Sequence, residues 1–312
     1  MAYRLRRQES VAQGLRRLAR KELRAAHDEM RRANPPEEEA IHEGRKSVKK
    51  ARAIVQLIDA DGGNRLAGSQ KRLGKVNRIL SCLRDADAMI EVLTKLRDHD
   101  ARLFSEHTFA RLRRRLLSHK RAAREAAGQD GAWKKVDRQL RKLRRAAKRW
   151  RPAHRRFGAL APGIRAAHKR GRKAMARAQK TQRATDFHEW RKQMKTLWYQ
   201  LRLLEECGPA IRRDVAALHR AESELGDDHN VVVLCAELSK DASVCGGPIA
   251  LGRLRQAADR YQCELRRKAV ASVQRIYART SGSCVRTLRR AWKGWQKRGT
   301  MRRAERPRRA AV

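Results

Sequence analysis

Residues 41–50 read IHEGRKSVKK and residues 187–196 read FHEWRKQMKT, so one basic segment occurs twice in the chain. His42, Glu43, Arg45, Lys46 and Lys49 return as His188, Glu189, Arg191, Lys192 and Lys195, each 146 positions later. A second match follows at an offset of 142. There LSCLRDADAMIEVL (80–93) aligns with the stretch around SELGDDHNVVVL (223–234), pairing Leu83 with Leu225, Asp85 with Asp227 and Arg78 with Arg220. Two matched blocks in the same order mark a duplicated structural unit. They confine the fold to two related halves, 1–155 and 156–298, that meet near Trp150 to Gly163, where Pro152 and Pro162 fall.

Both halves are expected to be helical. Ala, Leu, Arg, Lys, Glu and Gln dominate, all good helix formers. The one β-branched run, Val231 to Val233, sits inside a helical pattern. Periodicity and breakers predict helices near 8–33, 37–59, 65–98, 105–127 and 133–150, then near 163–182, 186–206, 209–240, 248–280 and 283–297. The breaks are Asn34-Pro35-Pro36, Asp61-Gly62-Gly63-Asn64, Gly128 to Gly131, Cys207-Gly208-Pro209 and Gly246-Gly247-Pro248. Each carries residues that end helices through positive φ or a missing N–H.

On such helices each repeat separates into two stripes. Ile41, Gly44, Val48, Ala51, Val55 and Ile58 follow the 3–4 spacing of a buried seam, matched by Phe187, Trp190, Met194, Leu197, Leu201 and Leu204. One residue further along lies about 100° around the helix. His42, Arg45, Lys49 and Arg52 therefore form a separate face with Lys46 at its edge. The second copy gives His188, Arg191 and Lys195 with Lys192 beside them, then Arg202 further along; Trp198 takes the position of Arg52. A solvated face needs only some polar residue at each position, whereas here the same cations recur at the same spacing. Neighbouring like charges on a helix cost a few tenths of a kcal/mol per pair, a cost that a bound polyanion reverses. Thr185 and Asp186 read as a helix cap, which would put His188 in the first turn, where free N–H groups attract phosphate. His42 is expected one turn deeper.

The whole composition points the same way. Lys and Arg number 78 against 33 Asp and Glu, a formal charge of +45, and such self-repulsion calls for an anionic partner. Aromatic residues are only 4%, which disfavours a ligand read by base stacking. No run of about 18 apolar residues is present, so no membrane insertion is expected. The N-terminus, MAYRLRRQES, lacks the apolar run of a secretory signal, and six cysteines are scattered without CxxC spacing. Reduced thiols and a cytoplasmic address are the expectation. The last residues, 299–312, are read as a basic disordered tail.

Catalytic readings fail on their motifs. His42-Glu43 and His188-Glu189 begin like the zinc-protease HExxH, but Lys46 and Lys192 stand where the second histidine must be. No Gly-rich phosphate loop follows a strand. Asp85 with Asp87 and Asp227 with Asp228 are expected to pair with cations or to cap a bend. Neither a catalytic residue, nor a metal ligand, nor a cofactor is therefore expected.

These motifs resemble the conserved histidine α-helical domain, the CHAD family. The resemblance rests on His-x-x-Arg-Lys-x-x-Lys in both halves, on Leu83-Arg84-Asp85-Ala86-Asp87 and on Leu225-Gly226-Asp227-Asp228-His229-Asn230. Tyr3-Arg4-Leu5 and Glu9-Ser10-Val11 are similar to the family's opening. It implies an all-α fold of two pseudo-symmetric four-helix bundles enclosing a basic central groove, and binding of inorganic polyphosphate, with association to polyphosphate granules. By position the implied ligands are His42, Arg45, Lys46, Lys49, His188, Arg191, Lys192 and Lys195, with Arg52, Arg78, Arg202 and Arg220 as weaker candidates. Sulfate or phosphate ions would occupy the same side chains in crystals. The alternative polyanion is nucleic acid, supported by bulk charge and the basic tail.

Overall fold

The computed structural model describes residues 3–33, 36–60 and 65–304, and the side chains of all of these except 82–86 and 299–304. The expected breaks at 34–35 and 61–64, residues 305–312 of the tail, and the Leu83-Arg84-Asp85-Ala86 side chains lie outside that set; residues 299–304, expected to be disordered tail, instead continue the last helix. Ten α-helices follow in order: α1 Val11–Glu29, α2 Glu38–Asp59, α3 Ala67–His99, α4 Glu106–Gln129 and α5 Ala132–Ala147, then α6 Ala161–Thr181, α7 Ala184–Arg202, α8 Pro209–Leu238, α9 Pro248–Ala278 and α10 Ser281–Ala304. Strands are absent among the described residues. Each helix expected from the sequence is present, and Val231 to Val233 lie within α8.

Local chemistry sets the ends. Ser10 caps α1 by accepting from the Gln13 N–H, and the Gln13 side chain returns a bond to Ser10, a reciprocal pair that satisfies two end donors. Pro162 falls in the first turn of α6, where its missing N–H costs nothing, so that helix begins before the proline and not after it. Gly246 and Gly247, both at φ +101, turn the chain into Pro248 at the head of α9. An L side chain rarely adopts that angle.

Helices that are consecutive in sequence pack together: α1 on α2, α2 on α3, α3 on α4, and likewise α6 on α7, α7 on α8, α8 on α9. The halves join where α2 meets α7 and α3 meets α8. One hydrophobic core, from Tyr3 to Trp295, spans both halves and takes in the apolar seams of α2 and α7. A smaller core lies further along α3, α4, α8 and α9, built from Leu93, Leu112, Leu116, Leu234 and Leu254 among others. Every predicted seam residue of α2 and α7 is buried, with Val48, Trp190, Met194 and Leu197 fully so. Each large apolar side chain buried contributes about 1.5–3 kcal/mol. That outweighs the few tenths per like-charged neighbour on the other stripe, so hydrophobic burial can hold two cationic ridges together.

Candidate functional site

Burying the seams turns the second stripe of α2 toward the second stripe of α7. Between them, with α3 and α8 closing the sides, lies a cleft of about 580 Å³. His42, Arg45, Lys46, Lys49 and Arg52 line it from α2, and His188, Arg191, Lys192 and Lys195 from α7. Nine of the twelve residues singled out in the sequence thus share one cavity. Its wall holds eight Lys and Arg side chains against three carboxylates, Glu91, Glu222 and Asp227, so the space is strongly positive. This is unlike the mostly apolar pockets that hold small neutral ligands.

The other three predicted ligands lie elsewhere. Arg78 and Arg220 are exposed and do not line the cleft. Arg202 packs its guanidinium over Tyr3, Trp198 and Tyr199, 5.6, 5.0 and 5.9 Å from the ring centroids. Its charge is thereby held by aromatic faces. Trp198 itself is buried and stacked on His219 at 4.8 Å, consistent with its place in the core.

The histidines differ from the expected capping geometry. Asp186 does not cap α7; it accepts from the Thr181 hydroxyl at 2.7 Å and pairs with Arg177 at 2.8 Å. The helix begins earlier, at Ala184, so His188 is its fifth residue, as His42 is in α2. The two copies therefore sit at equal depth, past the free N–H groups of the first turn. Their role must come from the side chain. His188 lies 4.0 Å, ring to ring, from His229 of α8, which also lines the cleft. Its Nδ1 is buried with no hydrogen-bond partner among the described residues. Two other buried histidines likewise keep one ring nitrogen without a hydrogen bond among the described residues: His168 meets the Ile276 carbonyl through Nε2 at 3.0 Å, and His27 meets Arg144 through Nδ1 at 2.7 Å with Nε2 beside Asp137 at 3.0 Å, so what sets His188 apart is its place on the cleft wall.

Glu222 organises the floor. It is 6% exposed, accepts from Arg191 Nη2 at 2.9 Å and pairs with Lys195, while Arg191 Nε also donates to the Glu222 carbonyl. Burial opposes its charge, yet Lys195 and Arg191 prevail and hold its carboxyl near a pKa of about 2. One carboxylate, however, faces three cations, Lys195, Arg191 and Lys49. Lys49 has no ion pair among the described residues, and burial together with the charges of Lys195, Arg45 and Arg191 pushes it down to about 6. Lys195 is lowered in the same direction, chiefly by burial. His188 and His229 are lowered too, burial first and neighbouring cationic or imidazole groups second, His229 to about 4.

Four of the remaining cations have a visible support, and the fifth, Arg52, is exposed. Arg45 donates to Ser81 at 3.1 Å, and Ser81 bonds back to the Asn77 carbonyl. Lys46 and Lys192 pair with Glu43 and Glu189 one turn earlier, so the repeated glutamates are local partners of the edge lysines. Lys95 crosses from α3 to Asp227 of α8 at 2.6 Å. Three of the four acidic residues expected to pair with cations do so: Asp227 with Lys95, Asp228 with Arg266 at 2.7 Å, and Asp87 with Lys120 at 2.5 Å; the side chain of the fourth, Asp85, lies outside the described residues. Glu222, Lys95, His229 and Asn230 also line the cleft without having been singled out as ligands. His229 and Asn230 stood within the second matched block, whereas Glu222 aligns with Leu80 at that offset and carries no repeat signal.

A family model described as CHAD domain matches residues 14–239, well over half of the chain. Among solved structures, the crystal structure of the CHAD domain from the plant Ricinus communis is similar over 94% of this chain and 95% of that one, with a TM-score of 0.59 and 19% identity. At that identity the likeness speaks for the fold. No curated protein matches.

Proposed function

The chain belongs to the CHAD domain family, and from that premise we propose that it binds inorganic polyphosphate in the cleft between α2 and α7 without cleaving it. The observation that carries this reading is the floor of the cleft, where Lys49, Arg191 and Lys195 from both copies converge on one carboxylate, with Arg45 close enough to act on both lysines. A cluster so unbalanced stores repulsion that a linear polyanion relieves. Arg45 and Arg191 supply forked donors suited to two phosphate oxygens, and the lysines act as point charges. His42, His188 and His229 stand where a phosphate would favour their protonated, doubly donating form. Binding without hydrolysis is part of the proposal, and it is supported by the pairing of the Glu222 and Asp227 carboxylates with cations. Association with polyphosphate granules is part of this proposal.

The test is competition, normalised per phosphate, between polyphosphate and single- or double-stranded nucleic acid at one ionic strength. Polyphosphate should win clearly, and incubation with chains of defined length should release no phosphate. Equal competition by nucleic acid favours the rival reading of a sequence-independent nucleic-acid binder; released phosphate makes the protein an enzyme.

A further inference from the structure

The cleft does not use all of the concentrated charge. Along the outer side of the first half, α1 and α5 pack side by side and leave two adjoining cavities of about 270 and 550 Å³. They share Arg20, Arg24 and Lys148, and together they are lined by ten Lys and Arg residues with only Gln13 and Ala147 besides. No acidic or aromatic side chain lines either one.

Some of these cations are held by the protein. Arg17 pairs with Glu9, Arg141 with Asp137, and Arg144 meets His27 Nδ1 at 2.7 Å. Arg145 and Lys148 stand at the C-terminal end of α5, where positive charge offsets the helix dipole. That account does not reach α1. Arg16, Arg20 and Arg24 recur one turn apart, about 6 Å along the axis, in the middle of a helix. They have no ion pair among the described residues, and they face the α5 cations across the groove. An unbalanced row facing further cations is costly unless an anion lies between them.

We infer that the α1–α5 groove is a second, independent site for a base-free linear phosphate chain. The groove is a furrow along two packed helices, walled by long cationic side chains from both, so a linear phosphate chain lying in it meets cations on either side. A single strand of nucleic acid is linear too, but sequence-tolerant binders of such strands stack bases on aromatic rings, and this groove has none. The ligand class rests on the reading of the central cleft; the existence of the groove site does not. With two sites the protein is bivalent, and one protein would hold two short chains or two segments of a long one.

Calorimetric titration of the full chain with a short phosphate chain of uniform length tests this. The account expects two chains per protein. Replacing Arg20, Arg24, Arg145 and Lys148 by Ala, all exposed and so not needed for folding, should leave one; Arg45→Ala with Arg191→Ala in the cleft should leave the other. One chain per wild-type protein, unchanged in the groove variant, would overturn the second site. If the groove variant loses a chain while the cleft variant keeps both, the cleft reading fails and the groove stands. In the cleft variant, single-stranded RNA with the same number of phosphates should compete weakly; equal competition there overturns the base-free assignment.

Discussion

Glu222 lies on the cleft floor with two bonded cations, Arg191 and Lys195, and a third, Lys49, within its field. Removing its charge by Glu222→Gln leaves those cations buried and unpaired, which should cost about 3 kcal/mol of stability in denaturant melts. A phosphate chain should restore much of that loss by binding the folded state only; a loss that the chain does not repair would mean Glu222 serves packing alone. Because its carboxyl is held at about 2, its contribution is present above the ordinary carboxylate range and fades as pH falls toward 2. Lys49 has the opposite bearing. Free, it gives up its proton near pH 6; beside a phosphate it would keep it. Between pH 6 and the higher value in the complex, binding must take up a proton, so affinity should fall as pH rises through 7 and 8. Titration in buffers of different ionisation heat reads that uptake directly, and Lys49→Arg, which stays charged, should abolish the Lys49 share of it. Equal uptake in both proteins would contradict this assignment.

At the scale of helices, the cleft depends on how closely α8 lets Arg191 approach. A Cβ on Gly226 would stand 2.9 Å from Arg191 Nη2, so Gly226→Ala must displace that guanidinium. The end of a flexible side chain moves cheaply, and alanine favours a helix interior by up to about 1 kcal/mol. Stability should hold or rise while polyphosphate affinity drops roughly tenfold, the loss of one charge-assisted contact; unchanged affinity would show that Arg191 makes no contact. The helices themselves were legible because a 3–4 spacing of apolar residues, as in Ile41 to Ile58, records which face is buried. The α2 and α7 faces of the cleft were legible because they repeat. Depth was not: the cap assigned to Asp186 fails because Thr181 and Arg177, from the end of α6, claim its carboxylate. Nor was Glu222 visible, since a single unrepeated acid leaves no pattern until α8 folds over α7. Arg202 shows the converse. Its spacing fits the stripe, but three aromatic rings turn it away from the cleft.

Across the whole molecule, charge and core act in opposite directions. A formal +45 opposes compaction, and one hydrophobic core shared by both halves resists it. Polyanion binding then relieves repulsion over a wide surface, so affinity should depend steeply on salt. Six to eight phosphate contacts give a log–log slope of about −4 to −6 with ionic strength, by analogy with single-stranded nucleic acid. A slope near −1 would reduce the interaction to one or two contacts. The central claim is more specific than attraction: one chain is held by both copies of the repeated ridge. It is tested most directly by measuring polyphosphate affinity, at matched ionic strength, for His42→Ala with Arg45→Ala, for His188→Ala with Arg191→Ala, and for all four together. Each half-variant should bind at least roughly tenfold more weakly, each having lost at least one charge-assisted contact of about 1.5 kcal/mol, with the fourfold variant weaker than either; an affinity left intact by disabling one half would contradict the shared cleft.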